Sequence, residues 1–338
     1  MTSLGSTPVP FSVLDLAPVS AGVSIGDSLH RSVALAHHVE ALGFTRFWLA
    51  EHHAMPTIAS AAPNLLAGQV AAATTRIRVG SGGIMLPNHA PLMVAERFGT
   101  LESMFPGRID LGVGRAPGSD RLTAFALRRP NDPRDAGDLA GQLDELESFF
   151  SGRWPAGHPY AAIHAVPGEG ARPPIFVLGS SDYGARLAAQ RSLPYAYAHH
   201  FAPQGTDVAM RLYREGFVGK DGATPHAIVA VAVLCAPTDD EARRLSQSMA
   251  LAYARLVRGA PTPIPTVEEA LSHAWTLAER AAAESFMSSH VIGSPDRVRD
   301  ALVALADRTR ADELMITTSA HSFEVRLRSF ELLAEAFA

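Results

Sequence analysis

The apolar run Phe47-Trp48-Leu49-Ala50 ends in three ionisable groups, Glu51-His52-His53. An imidazole titrates near pH 6.5 when unperturbed, so His52 is the plainest candidate for proton handling. The alternative is a histidine hydrogen-bonded to Glu51 for structural reasons. A second chemical signature is Leu178-Gly179-Ser180-Ser181-Asp182-Tyr183-Gly184, where an apolar run stops, two hydroxyls follow and a helical pattern begins. Unpaired N–H groups and the dipole at a helix N-terminus both favour a phosphate. Ser180 and Ser181 can add hydroxyl donors, and Gly184 lets a backbone amide approach closely. The alternative here is a serine that merely caps the helix. Arg115, within Gly112-Val113-Gly114-Arg115-Ala116-Pro117-Gly118, offers the same anion a planar, permanent cation, or else forms a surface ion pair. That stretch is not a dinucleotide fingerprint, because Pro117 takes the place of the third glycine in G-x-G-x-x-G. Gly82-Gly83 is either a turn or a place where a flat ring can lie against bare main chain.

The elements that must carry these groups are short β-rich runs alternating with longer helical patterns. Strands are predicted at 11–16, 46–50, 76–80, 109–113, 174–178, 194–198, 227–234 and 313–317. Their near-continuous apolar character suits parallel strands covered on both faces. A helix over 27–42 places Leu29, Val33, Ala36, Val39 and Leu42 on one side and stops at Gly43. Another opens at Ser294-Pro295-Asp296, read as a cap, a first-turn proline and an acid near the dipole's positive end. Eight such units favour a closed (β/α)8 TIM barrel, with an open doubly wound sheet as the alternative. The stretches 114–173 and 236–292 exceed the barrel minimum and read as insertions at its mouth, within one domain spanning 1–338.

Chemistry in such a barrel gathers at the C-terminal ends of the strands. Strand two would end in Glu51-His52-His53, strand three in Ser81-Gly82-Gly83 and strand four in Gly114-Arg115. Strand five would end in Gly179-Ser180-Ser181, strand six in His199-His200, and strand eight in Thr317, Thr318, Ser319 and His321. Together they outline one small-molecule site.

Of 338 residues 47% are hydrophobic, enough for a sizeable core. A formal net charge of −5 gives no general attraction to nucleic acid or to an anionic membrane surface. The lone Cys235 rules out a disulfide framework and a cysteine zinc cluster, and it follows an apolar run that reads as core. The opening MTSLGSTPVPF has no basic segment followed by an apolar one, so a cytoplasmic protein is expected. A metal-dependent hydrolase could draw on His52, His53, His199 and His200, yet the sequence has no H-E-x-x-H, and no metal is expected.

In order and spacing, GFTRFWLAEHH (43–53), RIRVGSGGIMLPNHAPLMVAERFGTLESMFPGRIDLGVGR (76–115), FVLGSSDYGARLAAQRSLPYAYAHHF (176–201) and VIGSPDRVRDAL (291–302) resemble the bacterial luciferase-like flavin monooxygenases. The resemblance covers most of the chain. It implies a barrel that binds FMN, in a reduced form supplied by a separate flavin reductase. It further implies oxygenation of a small organic substrate by O2 through a flavin C4a-(hydro)peroxide. His52 matches the family's active-site histidine, and Gly82-Gly83 the pair whose peptide, commonly cis, lies beside the isoalloxazine. Arg115, Ser181 and Gly184 match phosphate-binding positions, with Ser180 beside them. His199 falls near the ring or the substrate. The cysteine of the light-emitting subunit is replaced here by Gly114, which points to the non-luminous relatives. A homodimer is implied, for which the apolar helices at 62–74 and 91–105 are candidates. Two alternatives share the fold: a 5-deazaflavin-dependent hydride-transfer enzyme, and a flavin-binding protein without turnover.

Overall fold

A computed structural model of the chain describes residues 9–116, 118, 120–128 and 138–338, with the backbone alone at Arg121 and Arg128. Pro117, the residue that breaks the glycine fingerprint, lies outside them, as do the first eight residues and 129–137 within the first insertion.

Among the described residues nine strands form: β1 (Phe11–Asp15), β2 (Arg46–Leu49), β3 (Arg78–Met85), β4 (Ile109–Gly114), β5 (Ile175–Gly179), β6 (Tyr195–Ala198), β7 (Ala227–Cys235), β8 (Val291–Gly293) and β9 (Glu313–Thr317). β1 to β7 pair in sequence order and in parallel, β7 then pairs with β9, and β9 returns to β1. The sheet is thus a closed barrel of eight parallel strands. Each of the eight predicted strands lies in it. β8 is an addition to the predicted set; it joins the last three residues of β7, outside the closed ring.

The helices run in chain order as α1 (Ile25–Ala41), α2 (Pro63–Ala73), α3 (Pro91–Met104), α4 (Arg121–Arg128), α5 (Leu139–Ser151) and α6 (Asp182–Arg191). They continue as α7 (Thr206–Glu215), α8 (Asp239–Val257), α9 (Val267–Ser272), α10 (Leu277–Met287), α11 (Pro295–Thr309) and α12 (Phe323–Phe337). The first long segment carries α4 and α5, and the second carries α8, α9 and α10. Among the described residues no helix is long and apolar enough to cross a membrane.

Side chains alternate across each strand. Val13, Phe47, Leu49, Val79, Leu111, Val113, Val177 and Val229 pack under the helices. Leu14, Trp48, Ala50, Phe176, Ala196, Ile228, Ala230 and Met315 fill the barrel. Its floor is ionic. Arg46 donates to Glu313 at 2.9 Å and to Asp110 at 2.9 Å, Arg78 meets Asp110 at 2.6 Å, and the Trp48 indole donates to Asp110 at 3.0 Å. Ser12 and His226 complete the shell of Glu313. The carboxylates are buried and the arginines part-buried, and all are paired, which is the condition for tolerating them in a core.

Two local expectations need correction. The strand predicted over 76–80 runs on to Met85, so Gly82-Gly83 lies inside β3 and not beyond it. Ser294 stands at the N-cap of α11 without a side-chain capping bond; its N–H donates to Asp239 Oδ1 at 2.8 Å instead.

Candidate functional site

The β2 tip is organised by Glu51. This carboxylate is 0% exposed and accepts from His53 Nε2 at 2.9 Å, His89 Nε2 at 2.9 Å and the Met85 N–H at 3.0 Å. Burial alone would raise its pKa, but the hydrogen bonds and charge of His89, with His53 and the Met85 amide, bring it below the ordinary value. Glu51 therefore stays anionic and ties the β2 tip to the segment after β3. His52 is not its hydrogen-bond partner. The His52 N–H donates to the Ser60 carbonyl at 2.9 Å, while its ring Nδ1 is buried without a partner. Burial lowers the His52 pKa, against the pull of Glu51 and with a push from His53, so the imidazole is held neutral. A buried polar atom left unpaired in a cleft calls for a ligand.

Beside it, β3 and β4 slip register: Ser81 opposes Leu111 and Ile84 opposes Val113, so β3 carries one extra residue. Gly82-Gly83 occupies this bulge, and the peptide bond between them is cis. A Cβ on Gly82 would stand 2.6 Å from Leu14 Cδ1, and one on Gly83 would stand 2.8 Å from the Gly112 carbonyl oxygen. Neither position has room for a side chain, so the main chain there stays bare.

On the far wall β5 gives way to α6. Ser181 is its N-cap residue by position, with extended backbone, yet its side chain makes no capping bond. The capping alternative is therefore set aside, and the exposed hydroxyls of Ser180 and Ser181 stand before uncapped amides. The loop is fixed from below. Tyr195 OH donates to the Ser181 carbonyl at 3.2 Å, and Tyr197 OH, which donates to the Ala202 carbonyl at 2.7 Å, lies 3.2 Å from the Ser180 carbonyl as well. Gly184 packs on Tyr195, where a Cβ would meet the ring at 3.3 Å. Arg115, at the β4 tip, lays its guanidinium over the Tyr183 ring, 4.3 Å from the centroid. Tyr183 is in the first turn of α6, so the cation and the helix terminus share one corner of the mouth.

His199 is the clearest departure. Expected near a ring or substrate, it is 8% exposed and points between helices, with Nδ1 at 2.7 Å from Thr206 Oγ1 of α7. Its pKa is lowered by burial, with Arg308 adding to the effect. The alternation of β6 explains this. Tyr195 and Tyr197 pack under the helices and His199 continues their side, whereas Ala196 faces the interior and His200 continues that side. In the sequence His200 stands beside His199 just past the strand tip, told from its neighbour only by the alternation of β6. His89 and His290 escape sequence reasoning altogether, since each joins the mouth from a loop with no readable spacing. Thr318, after β9, adds a second buried polar atom without a partner, its Oγ1. Among the described residues no cluster of His, Cys, Asp or Glu is arranged to hold a metal ion.

The second insertion is tied across this mouth. Ile264 donates its N–H to the Val19 carbonyl at 2.8 Å and accepts from the Ala21 N–H at 2.9 Å. A cavity of about 610 Å³ lined by Val9, Phe11, Leu302, Asp312 and Phe337 lies at the opposite end of the barrel from these groups.

The family model described as "Luciferase-like monooxygenase" matches residues 9–312. The chain belongs to the luciferase-like monooxygenase family. With the family comes the enzyme class, flavin-dependent monooxygenase and oxidoreductase. This family member is 42% identical over 333 residues to the luciferase-like monooxygenase of Escherichia coli (strain K12), covering 96% of each chain. It is 31% identical over 330 residues to the N-acetyl-S-alkylcysteine monooxygenase of Bacillus subtilis (strain 168), covering 97% of this chain and 98% of the other. Among solved structures, apo-MsnO8 is 41% identical and superposes with a TM-score of 0.89 over 98% of both chains. More distant structures share the fold alone. They include the oxygenating constituent of 3,6-diketocamphane monooxygenase from Pseudomonas putida in complex with FMN (18% identity, TM-score 0.74, 98% of each chain). An F420-dependent secondary alcohol dehydrogenase (15% identity, TM-score 0.73) covers 98% of this chain and 99% of its own.

Proposed function

We propose that this chain is an FMN-dependent monooxygenase that oxygenates a small organic substrate with O2, using reduced FMN delivered by a separate flavin reductase. The observation that carries the reading is Arg115 stacked on Tyr183 beside the uncapped start of α6. A guanidinium, free amides at a helix terminus and two serine hydroxyls form a donor set suited to a phosphate monoester. The unpartnered Nδ1 of His52 supports a ligand in the same mouth. These residues fit FMN.

Reduced flavin, when bound, supplies the electrons that activate O2. The chain supplies the rest. Arg115, Ser180, Ser181 and the α6 amides hold the phosphate, and Tyr195 and Tyr197 fix the loop that presents them. The bare backbone at Gly82-Gly83 gives a flat ring a wall without side chains. His52, held neutral by burial, takes or gives a proton at Nδ1, while Glu51 fixes the strand tip that carries it. The segment around Ile264 shields the mouth from water. The whole forms one catalytic domain with insertions after β4 and β7.

The test is an anaerobic titration with reduced FMN and with a reduced 5-deazaflavin, followed by oxygen uptake coupled to product formation. Preference for FMN with substrate-dependent uptake is expected. Preference for the deazaflavin would overturn the reading in favour of hydride transfer, and tight FMN binding without turnover would favour a carrier. A homodimer is part of the proposal. Leu65 on α2 is 68% exposed and Met104 on α3 is 65% exposed, on the two helices expected to pack against a second copy. Mass measured against concentration tests it, and a monomer at all concentrations would remove it.

A further inference from the structure

Across the barrel from His52 stands a second imidazole that the proposed chemistry does not use. Going round the closed sheet, β2 and β6 are four strands apart in either direction, so their tips face each other over the mouth. His200, two residues past β6, is held at three points. Its backbone N–H donates to the Ala230 carbonyl at 3.1 Å, its ring Nδ1 lies 3.1 Å from that same oxygen, and its own carbonyl accepts from Ser289 Oγ at 3.1 Å. A carbonyl oxygen can only accept. The proton of a neutral His200 ring must therefore be on Nδ1, which leaves Nε2 with a bare lone pair. Among the described residues Nε2 makes no hydrogen bond.

Among the described residues, the charged and titratable groups that reach this ring are His52 past the end of β2, the adjoining His199, and His290 just after α10. All are imidazoles, and none can neutralise a cation. Burial first, and then His52 and His199, push the His200 pKa down to about 4, against the favourable bond to Ala230. His290 is likewise lowered to about 4 by burial, with His200 contributing. Apolar rings complete this wall. Phe286 stacks on Tyr253 at 3.9 Å between centroids, and His290 meets Phe286 edge-on at 4.5 Å.

We infer that His200 Nε2 is a fixed hydrogen-bond acceptor of the substrate site, selecting a neutral molecule that presents an O–H or N–H donor to the β6 wall. The inference rests on the mouth being the substrate site and deepens that reading to a substrate class. A neutral acceptor among imidazoles and aromatic rings gives an anionic substrate group nothing to pair with, whereas an acceptor that a bound ligand covers and leaves unpaired discriminates against ligands that lack the donor. His200 is thus a specificity residue. It replaces His199, whose ring is already bound to Thr206.

The experiment uses the full chain with nitrogen-15-labelled histidine and reads each ring's protonation by long-range proton–nitrogen NMR near neutral pH. Signals are assigned with His200→Gln and, should that variant not fold, by elimination with His199→Gln and His290→Gln. His200 is expected to carry its proton on Nδ1; a proton on Nε2, or on both nitrogens, overturns the inference. The probes are then phenol and anisole, which share a ring and differ in the donor. Phenol should shift the His200 Nε2 resonance and anisole should not; no response to phenol, or equal responses, overturns it. Affinity for FMN should stay within about twofold in His200→Gln, and a loss beyond about tenfold would make His200 a cofactor ligand and defeat the assignment. Failure of the unsubstituted chain to bind FMN would instead count against the flavin reading, while the tautomer and the phenol response would still decide the role of His200.

Discussion

The two ends of the barrel treat polar groups in opposite ways. At the floor, buried Asp110 and Glu313 and part-buried Arg46 and Arg78 direct their charge at one another. At the mouth, His52 Nδ1 and Thr318 Oγ1 are buried with no partner, and three imidazoles are kept neutral by burial. A closed ion network secures the fold, whereas unpaired atoms make a site that a ligand completes. The floor is therefore where substitutions should cost stability, and the mouth where they should cost binding or turnover.

The sharpest way to break this contrast is Asp110→Ala. It leaves Arg78 and the Trp48 indole without their carboxylate and Arg46 with Glu313 alone, and should cost about 3–5 kcal/mol in denaturant unfolding. A cost under about 1 kcal/mol would deny the floor its structural role. Next, His52→Ala should slow turnover about a hundredfold while binding of reduced FMN is nearly intact. Equal turnover in the variant would take His52 out of the mechanism. Arg115→Ala should weaken FMN about tenfold or more with the melting temperature unchanged, because the guanidinium is exposed and, among the described residues, stacks on Tyr183 alone. An unaltered dissociation constant would move the phosphate elsewhere.

The imidazoles also give the mouth a pH signature. A histidine whose folded pKa lies below its unfolded value stabilises the fold above the unfolded pKa and loses that contribution as pH falls. For His200 and His290 the window runs from 6.5 down to about 4. Thermal unfolding should shift to lower temperature through that interval, less steeply in His200→Gln. A flat profile would mean that the rings are not held neutral. The smallest effect is expected at Ser181, which makes no capping bond. Ser181→Ala should leave stability within about 0.5 kcal/mol of the parent. By comparison, Thr276→Ala, which breaks the capping box of α10, should lose about 1 kcal/mol.

Much of the barrel is legible in the sequence because parallel strands covered on both faces must be apolar along their length, as RFWL and IDLGVG are. β8 escapes notice because three residues, VIG, are too few to show a period. β3 reads short because Gly82-Gly83 looks like a strand end, while the bulge that absorbs it depends on register with β4. Positions such as His52, Arg115 and Ser181 stand out by type and place, and the structure brings them to one mouth. The direction of His199 is within reach of the sequence: two tyrosines of β6 and the histidine just past it stand at alternate positions on one side. The hub role of Glu51 is not, since its partners Met85 and His89 come from a segment more than thirty residues away.

The link between Ile264 and the loop after β1 has a kinetic consequence. Prolines at 261, 263 and 265 leave Ile264 as the only residue among these four able to offer an amide, and it uses that amide on Val19. The segment is moored to the loop after β1 at that point. For the insertion to swing aside as a unit, the β1 loop must travel with it or both bonds must shear. Entry and exit of small molecules thus become coupled to the first strand's own tether, and a proline at position 21 would cut one of its two lines without touching any group that meets the reactants.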